Sequence, residues 1–193
     1  MGMGIRGFFE AWSGSYERTF SIPFLRWLER SEREKASAAL VVGGKRVLDL
    51  GCGYGKYSGL WKARGAALAV GLDFSPGMVA RAKARSPDCH FLVGDASRTP
   101  FKDGSFDAVT CMGVANYYRD PGPLLGEMRR LGREFLLTFP QRSLLGRIYS
   151  FISGAEIHLR DKKEAAELCR PYFRVLGTEE CALGLTLVVR GAR

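Results

Sequence analysis

The stretch Val47–Trp61, VLDLGCGYGKYSGLW, carries the strongest local indication of the fold. It begins as a short apolar strand, contains an aspartate near the strand end, and continues through glycines at alternate positions (Gly51, Gly53, Gly55). A helical pattern follows from Lys56. Glycines at the end of a buried strand permit unusual backbone angles and remove the β-carbons that would keep a ligand away. The stretch therefore predicts a strand–turn–helix unit whose bared backbone lies against a ligand.

The spacing of these glycines separates the turn from two other nucleotide-binding motifs. The pattern is GxGxG and lacks the final glycine spacing of the dinucleotide fingerprint GxGxxG. The phosphate-binding pattern GxxxxGK[ST] is absent as well. The spacing therefore disfavours a nicotinamide dehydrogenase and a P-loop enzyme.

Strand and helix patterns alternate along the chain after Arg46. The strand candidates are RVLDL, ALAVGLDF, CHFLVGD, DAVTCMGV and REFLLTFP, and two more, FRVLGTEE and GLTLVVRG, are expected to pair with each other and close the sheet. Such alternation is typical of a parallel sheet with helices on both faces. The sequence predicts an α/β fold with a doubly wound, mostly parallel seven-stranded Rossmann-like sheet, an antiparallel C-terminal strand and N-terminal helices.

The chain is expected to form a single domain, 1–193, in three parts. These are an N-terminal helical lid (1–44), a cofactor-binding core (45–140) and an acceptor-side, sheet-closing segment (141–193). In the first part, aromatic residues recur every four positions and mark one helix face. Packing against the sheet explains most of them, whereas Trp12 and Tyr16 are candidates for covering a substrate.

Composition sets limits on the protein's class. The 193 residues include 46% hydrophobic residues, and no apolar run is long enough to span a bilayer. The start lacks the features of a secretory signal, so a soluble cytoplasmic protein is expected. Five dispersed cysteines without a CxxC pair argue against disulfides and against a metal site. The net charge of +9 favours anionic partners: nucleic acid, lipid headgroups or an anionic small molecule.

Acidic residues end three of the predicted strands. Asp49, Asp73 and Asp95 lie in VLDLG, GLDFS and VGDAS. In open α/β sheets, ligands bind beyond the carboxyl ends of the strands where the strand order reverses. The three carboxylates are therefore expected on one rim, where the second could take both hydroxyls of a ribose.

Four blocks of the sequence resemble the class I S-adenosylmethionine-dependent methyltransferases, particularly those acting on small molecules. The blocks are VLDLGCGYGKYS, VGLDFSPGMVARAKAR, VGDASRTPFKDGSFDAVTCMGV and the weaker LLGEMRRLGREFLLTFP. They cover about Arg46–Pro140 in the family's order. The resemblance implies S-adenosyl-L-methionine as the methyl donor, with S-adenosyl-L-homocysteine as its product.

The resemblance also implies residues for a donor site. The glycine turn would pass the methionine moiety, Asp49 would help orient its ammonium group, Asp73 would hold the ribose, and Asp95 would accept from the adenine amino group. The whole set of implied cofactor-binding residues is Asp49, Gly51, Cys52, Gly53, Gly55, Tyr57, Asp73, Phe74, Met78, Asp95, Ala96, Met112 and Gly113.

The acceptor side has fewer signals. The tetrapeptide of amino-methylating nucleic-acid enzymes, Asn/Asp-Pro-Pro-Tyr/Phe, is replaced by MGVANYY. Asn116 and Tyr117 in this segment could face the acceptor or simply cap the next helix. His158 is a candidate general base. Arg142 and Arg147, if they converge with Arg160 near the cavity mouth, would suit a carboxylate or phosphate.

These observations favour an enzyme that methylates a small molecule, apolar or aromatic with an acidic group. Nucleic acid is a possible but disfavoured partner. One alternative is an RNA or protein methyltransferase that uses the basic face. Another is a non-catalytic protein that binds S-adenosylmethionine.

Overall fold

The computed structural model describes residues 23–153 and 156–193 of the chain. Trp12 and Tyr16, and with them most of the expected lid, lie outside the described residues. The three-part division of the chain stays a prediction.

Seven strands and six α-helices make up the described part of the chain. The strands are β1 Arg46–Leu50, β2 Leu68–Asp73, β3 His90–Val93, β4 Ala108–Cys111, β5 Glu134–Pro140, β6 Arg174–Cys181 and β7 Thr186–Ala192. The helices are α1 Pro23–Ala39, α2 Lys56–Ala63, α3 Pro76–Arg85, α4 Gly122–Leu131, α5 Leu144–Ser153 and α6 Lys162–Cys169, with 3-10 turns at Ala115–Tyr117 and Ala182–Gly184. None of these helices has the length and apolar character needed to cross a membrane.

The strands form one sheet in the order β3-β2-β1-β4-β5-β7-β6. Neighbouring strands from β3 through β5 are parallel, whereas β7 runs antiparallel to both β5 and β6. The predicted mostly parallel, seven-stranded sheet with an antiparallel C-terminal strand is confirmed. The first strand, β1, is central, with Leu48 paired to Val70 of β2 and Val109 of β4.

Apolar residues that alternate along the central strands build a core on each face of the sheet. Val47 and Leu136 pack with α1 and α2, where Trp61 is fully buried. The adjacent Leu48 and Leu137 pack on the opposite face with α4 and α6. Successive side chains of a strand point to opposite faces, so runs buried on both faces are apolar throughout.

The sheet order reverses at β1, since β2 lies on one side of it and β4 on the other. Parallel strands bring their carboxyl ends to one edge, and a crevice opens there where the order reverses. The loops after β1, β2, β3 and β4 all leave from this edge, so the fold places the three predicted acids near one another.

Candidate functional site

A cavity of about 690 Å³ lies at the carboxyl edge of the sheet. This volume is within the range of ligand-binding pockets, about 300–1,000 Å³. Most of the predicted donor-site residues line it: Asp49, Gly51, Cys52, Gly53, Tyr57, Asp73, Phe74, Met78, Asp95, Ala96, Met112 and Gly113. The predicted acceptor residues Asn116 and Tyr117 line it as well.

The glycine turn after β1 has the backbone geometry that its sequence predicts. Gly51 has a φ of +67°, and a Cβ there would overlap Cγ2 of Val114. Gly53 has a φ of +53°, and a Cβ there would meet nothing within 4 Å. The first glycine is thus required by packing, whereas the second leaves open space against the cavity. Gly55 does not line the cavity, because it packs on Ala82 and Phe91.

Asp73 joins the ends of β1 and β2. Its Oδ2 accepts a hydrogen bond from the Gly53 amide at 2.8 Å, and its Oδ1 accepts from the Ser75 amide at 2.9 Å. The side chain is buried, and burial raises the pKa of its carboxyl group while the backbone amides lower it. Each oxygen still has a lone pair, so the carboxylate can accept from two adjacent hydroxyls.

Two buried hydroxyl groups fix the position of the Asp49 carboxyl group. Ser58 Oγ donates to its Oδ2 at 2.8 Å, and Thr110 Oγ1 donates to its Oδ1 at 3.0 Å. The Trp61 indole in turn donates to Thr110 Oγ1 at 3.1 Å. Burial raises the pKa of Asp49 to about 6, with hydrogen bonds from Ser58 and Thr110 acting in the opposite direction. A cation beside this group would favour its charged form.

The remaining donor-side residues follow β2, β3 and β4. Met78 lies in the first turn of α3 and is buried. Asp95 is exposed, and its Oδ1 accepts from the backbone amide and the hydroxyl of Ser97. The Gly113 amide donates to Thr138 Oγ1 at 2.8 Å, and a Cβ at Gly113 would again meet open space.

The acceptor side of the cavity draws on elements distant in sequence. Asn116 and Tyr117, in the 3-10 turn after β4, line the wall together with Tyr149 of α5 and Thr186 of β7. Burial raises the pKa of the Tyr117 phenol above its ordinary value. The tyrosine therefore stays neutral at physiological pH and acts as a hydrogen-bonding surface.

Helix α1 contributes two carboxylates to the cavity. Tyr57 Oη donates to Glu32 Oε1 at 2.5 Å. Glu29 Oε1 accepts from Tyr54 Oη at 3.3 Å and lies 3.4 Å from Lys56 Nζ. These two acids are not among the site residues that the sequence predicts.

Three of the predicted acceptor-side residues lie outside the cavity lining. The His158 side chain lies 3.9 Å from Glu156 Oε1, and its backbone amide donates to the Asn116 carbonyl at 2.9 Å. Arg142 pairs with Glu164 at 2.9 Å, and Arg147 is exposed on α5. The catalytic and binding roles of these residues stay predictions.

Comparison with known proteins identifies the domain that carries this cavity. A family model described as a methyltransferase domain matches residues 48–134, which include the glycine turn and all three strand-end acids. Residues 48–134 therefore form a class I S-adenosylmethionine-dependent methyltransferase domain. The family resemblance read from the four sequence blocks is thereby confirmed.

Among curated methyltransferases, the demethylmenaquinone methyltransferase of Beutenbergia cavernae is 42% identical over 132 residues, covering 67% of this chain and 53% of that protein. The chain spans about half the length of the curated relatives it matches.

Solved methyltransferase structures share the fold across nearly the whole chain. A putative methyltransferase from Haloferax volcanii, in complex with the Trm112 methyltransferase activator, is 23% identical with a TM-score of 0.81 and covers 97% of this chain and 96% of its own. Magnesium protoporphyrin IX methyltransferase from Synechocystis, with bound SAH, is 17% identical with a TM-score of 0.80 and covers 98% of both chains.

The residues of this methyltransferase cavity fit S-adenosylmethionine, the cofactor of the family. Open space at the Cβ positions of Gly53 and Gly113 leaves room for a ligand beside the backbone. The buried Asp73 carboxylate suits a pair of ribose hydroxyls, and Asp49 suits an ammonium group. These features lie in one cavity at the carboxyl edge of the methyltransferase sheet.

The pKa of Asp49 predicts a pH dependence of ligand binding. A ligand ammonium favours the carboxylate, so binding releases the proton that neutral Asp49 carries below pH 6. With a pKa of about 6 in the free protein, we expect the Kd of S-adenosylhomocysteine to rise about tenfold between roughly pH 7 and pH 5. Calorimetric titration across this range measures the change.

The Asp49→Asn variant is the control, since its profile should be flat over the same range. The free energy of unfolding also depends on pH through Asp49. The native pKa lies above the ordinary value of 3.8, so the native state binds the proton between 3.8 and about 6, and this group's contribution to stability falls as pH rises through that window. A wild-type Kd that is constant from pH 7 to pH 5, with the fold intact by circular dichroism, would contradict the ammonium role of Asp49.

Proposed function

We propose that this protein transfers a methyl group from S-adenosylmethionine to a small-molecule acceptor that is apolar or aromatic. The observation that carries the proposal is a single cavity that joins the strand-end carboxylates to a wall of tyrosines. Methyl transfer needs donor and acceptor in line and in contact, so positioning accounts for much of the rate. One continuous cavity is what such positioning requires.

When bound, S-adenosylmethionine supplies an electrophilic methyl group on a sulfonium. Asp73 would hold the ribose hydroxyls while its two backbone partners, Gly53 and Ser75, keep its orientation fixed. Asp49, held by Ser58 and Thr110, would orient the ammonium group. Asp95 would accept from the adenine amino group.

The acceptor would lie against the tyrosines. Tyr117, Tyr118 and Tyr149 line the cavity beside Met112. Burial raises the pKa of Tyr118 to about 12, so this phenol is neutral and does not serve as a base at physiological pH. Aromatic faces attract a positive centre and exclude water from it, which suits methyl transfer.

The positions of three arginines do not favour an acidic group on the acceptor. The sequence predicts that group only if Arg142, Arg147 and Arg160 converge at the cavity mouth. The first pairs with Glu164, the second is exposed, and the third lies in a separate shallow pocket between α4 and α6. The proposal therefore keeps the apolar or aromatic acceptor and leaves out the acidic group.

His158 remains a proposed general base. Its backbone bond to the Asn116 carbonyl holds it next to the acceptor wall. A base is needed only if the acceptor starts protonated with a high pKa. Replacing His158 with glutamine should then lower the rate at neutral pH without changing the affinity for S-adenosylhomocysteine.

The proposed activity predicts where a labelled methyl group goes. We expect the protein, incubated with methyl-labelled S-adenosylmethionine and a bacterial extract, to label the low-molecular-weight fraction. The Asp73→Asn variant should leave that fraction unlabelled. Label in RNA or protein would instead support the alternative that uses the basic face. Binding of S-adenosylhomocysteine without transfer to any fraction would support the non-catalytic alternative.

A further inference from the structure

We infer that the acceptor presents hydrogen-bond donors, as hydroxyl or amine groups and not a carboxylate, to the end of the cavity formed by Glu29, Glu32 and Asn116. The inference rests on the proposed function and names the chemical class of its acceptor. It replaces the acidic group that the sequence alone suggested for that molecule.

The charge of the cavity lining is the first argument. Five carboxyl groups and one ammonium group line the cavity among the described residues: Glu29, Glu32, Asp49, Asp73, Asp95 and Lys56. The three aspartates are at strand ends, where the methyl donor is proposed to bind. The two glutamates of α1 and the lysine remain, and they leave the rest of the lining net negative.

The lysine does not offset both glutamates. Lys56 Nζ lies 3.4 Å from Glu29 Oε1, and both side chains are largely buried. It also lies 4.6 Å from the centre of the Tyr57 ring. Lys56 is thus held by groups of the protein itself. An acceptor carboxylate would approach Glu32 without a compensating cation from the described residues that line the cavity.

Glu32 has acceptor capacity left for a ligand. Tyr57 Oη donates to Oε1 at 2.5 Å, and Thr186 Oγ1 donates weakly to Oε2 at 3.4 Å. An ionised carboxylate has about four lone-pair sites, so donors from a ligand can be added. Hydrogen bonds to a charged carboxylate are roughly twice as strong as those between neutral groups.

The side chain of Asn116 gives independent support. Asn116 is 3% exposed and lines the cavity, and its Oδ1 has no hydrogen-bond partner among the described residues. An unpaired buried acceptor is unfavourable, and native proteins rarely leave one without a reason. A ligand hydroxyl or amine supplies the missing donor, whereas a carboxylate cannot.

These groups lie at one end of the cavity, around the carboxyl end of β5. Glu32 Oε2 accepts from Thr186, which pairs with Pro140 at the end of β5, and the 3-10 turn that carries Asn116 packs against the same strand. Tyr149 interacts with Tyr117, and Tyr117 interacts with the Asn116 side chain. The acceptors of α1 and of the 3-10 turn therefore act on the same part of a bound molecule.

Three matched probes test the preference: 2-phenylethylamine, 2-phenylethanol and 3-phenylpropionate, titrated calorimetrically into protein saturated with S-adenosylhomocysteine. They share a ring and a short tether and differ in the terminal group. We expect the amine to bind at least tenfold more tightly than the carboxylate, with the alcohol between them. In Glu32→Gln, which keeps an acceptor for Tyr57, the difference between amine and carboxylate should fall at least fivefold.

The matched control is Glu34→Gln on the same helix. Glu34 is exposed and pairs with Arg30, so the variant removes the same charge away from the cavity and should keep the wild-type order of probes. Equal binding of amine and carboxylate, or no measurable binding of any probe up to its solubility, overturns the inference. So does a Glu32→Gln variant that loses affinity for S-adenosylhomocysteine and keeps the probe order. Absence of S-adenosylhomocysteine binding by the folded wild type would instead overturn the proposed function.

Discussion

Replacing Asp73 with asparagine is expected to weaken binding of S-adenosylhomocysteine by at least about 100-fold, since each hydrogen bond to a charged group contributes about 1.5–3 kcal/mol. The substitution removes the charge that would hold two ribose hydroxyls. It also places an amide N–H₂ toward one of two backbone donors, the amides of Gly53 and Ser75. Calorimetric titration measures the loss of affinity.

Two controls accompany this variant. Asp88→Asn removes an aspartate that is exposed and does not line the cavity, so its affinity should equal that of the wild type. Urea unfolding checks that Asp73→Asn is folded at the temperature of the titration. A folded Asp73→Asn protein that binds within threefold of the wild type would show that the ribose is held elsewhere.

Replacing Trp61 with alanine is expected to lower the free energy of unfolding by about 3–5 kcal/mol, the range for large buried aromatic residues. Trp61 is fully buried between α2 and the sheet, and its indole packs near the Tyr57 ring. Its N–H also donates to Thr110, which donates to Asp49. Truncation therefore leaves a cavity and a hydroxyl without its donor below the site.

Two further variants separate packing from hydrogen bonding. Trp61→Phe keeps most of the apolar volume and loses the N–H, so its cost should be clearly smaller than that of alanine. Val41→Ala removes an exposed side chain and should change stability by less than about 0.5 kcal/mol. Urea unfolding curves measure all three, and a Trp61→Ala cost equal to that of Val41→Ala would contradict the described packing.

The donor half of the cavity could be predicted because its residues follow local rules. Asp49 and Asp73 lie at the carboxyl ends of β1 and β2, Asp95 follows β3, and parallel strands bring their carboxyl ends to one edge. Gly51 and Gly53 could be predicted from local backbone requirements alone, namely a positive φ and the close approach of a ligand to the backbone. The order of strands and helices along the chain was therefore enough to bring these residues together.

The acceptor half depends on how distant elements dock, which the sequence pattern does not specify. Glu29 and Glu32 are three residues apart and share a face of α1, but the direction of that face depends on how Leu28 and Ala36 pack against the sheet. Tyr149 and Thr186 come from an exposed helix and from the antiparallel strand beside β5.

The arginines predicted for the acceptor side make contacts elsewhere in the protein. The sequence predicts a site for a carboxylate or phosphate only if Arg142 and Arg147 converge with Arg160 at the cavity mouth. In the fold, Arg142 pairs with the first turn of α6 through Glu164, and Arg160 donates to the Arg119 carbonyl. Long charged side chains find whichever acceptor the tertiary structure brings near, so sequence spacing alone did not indicate their contacts.

A calorimetric titration of the wild-type protein with S-adenosylhomocysteine shows whether the cavity binds the methyl-donor product. We expect one site per chain with a micromolar Kd, because the carboxylates of Asp49 and Asp73 and the open backbone at Gly53 lie in one cavity. A protein that is folded by circular dichroism and shows no heat of binding at saturating ligand would contradict this expectation.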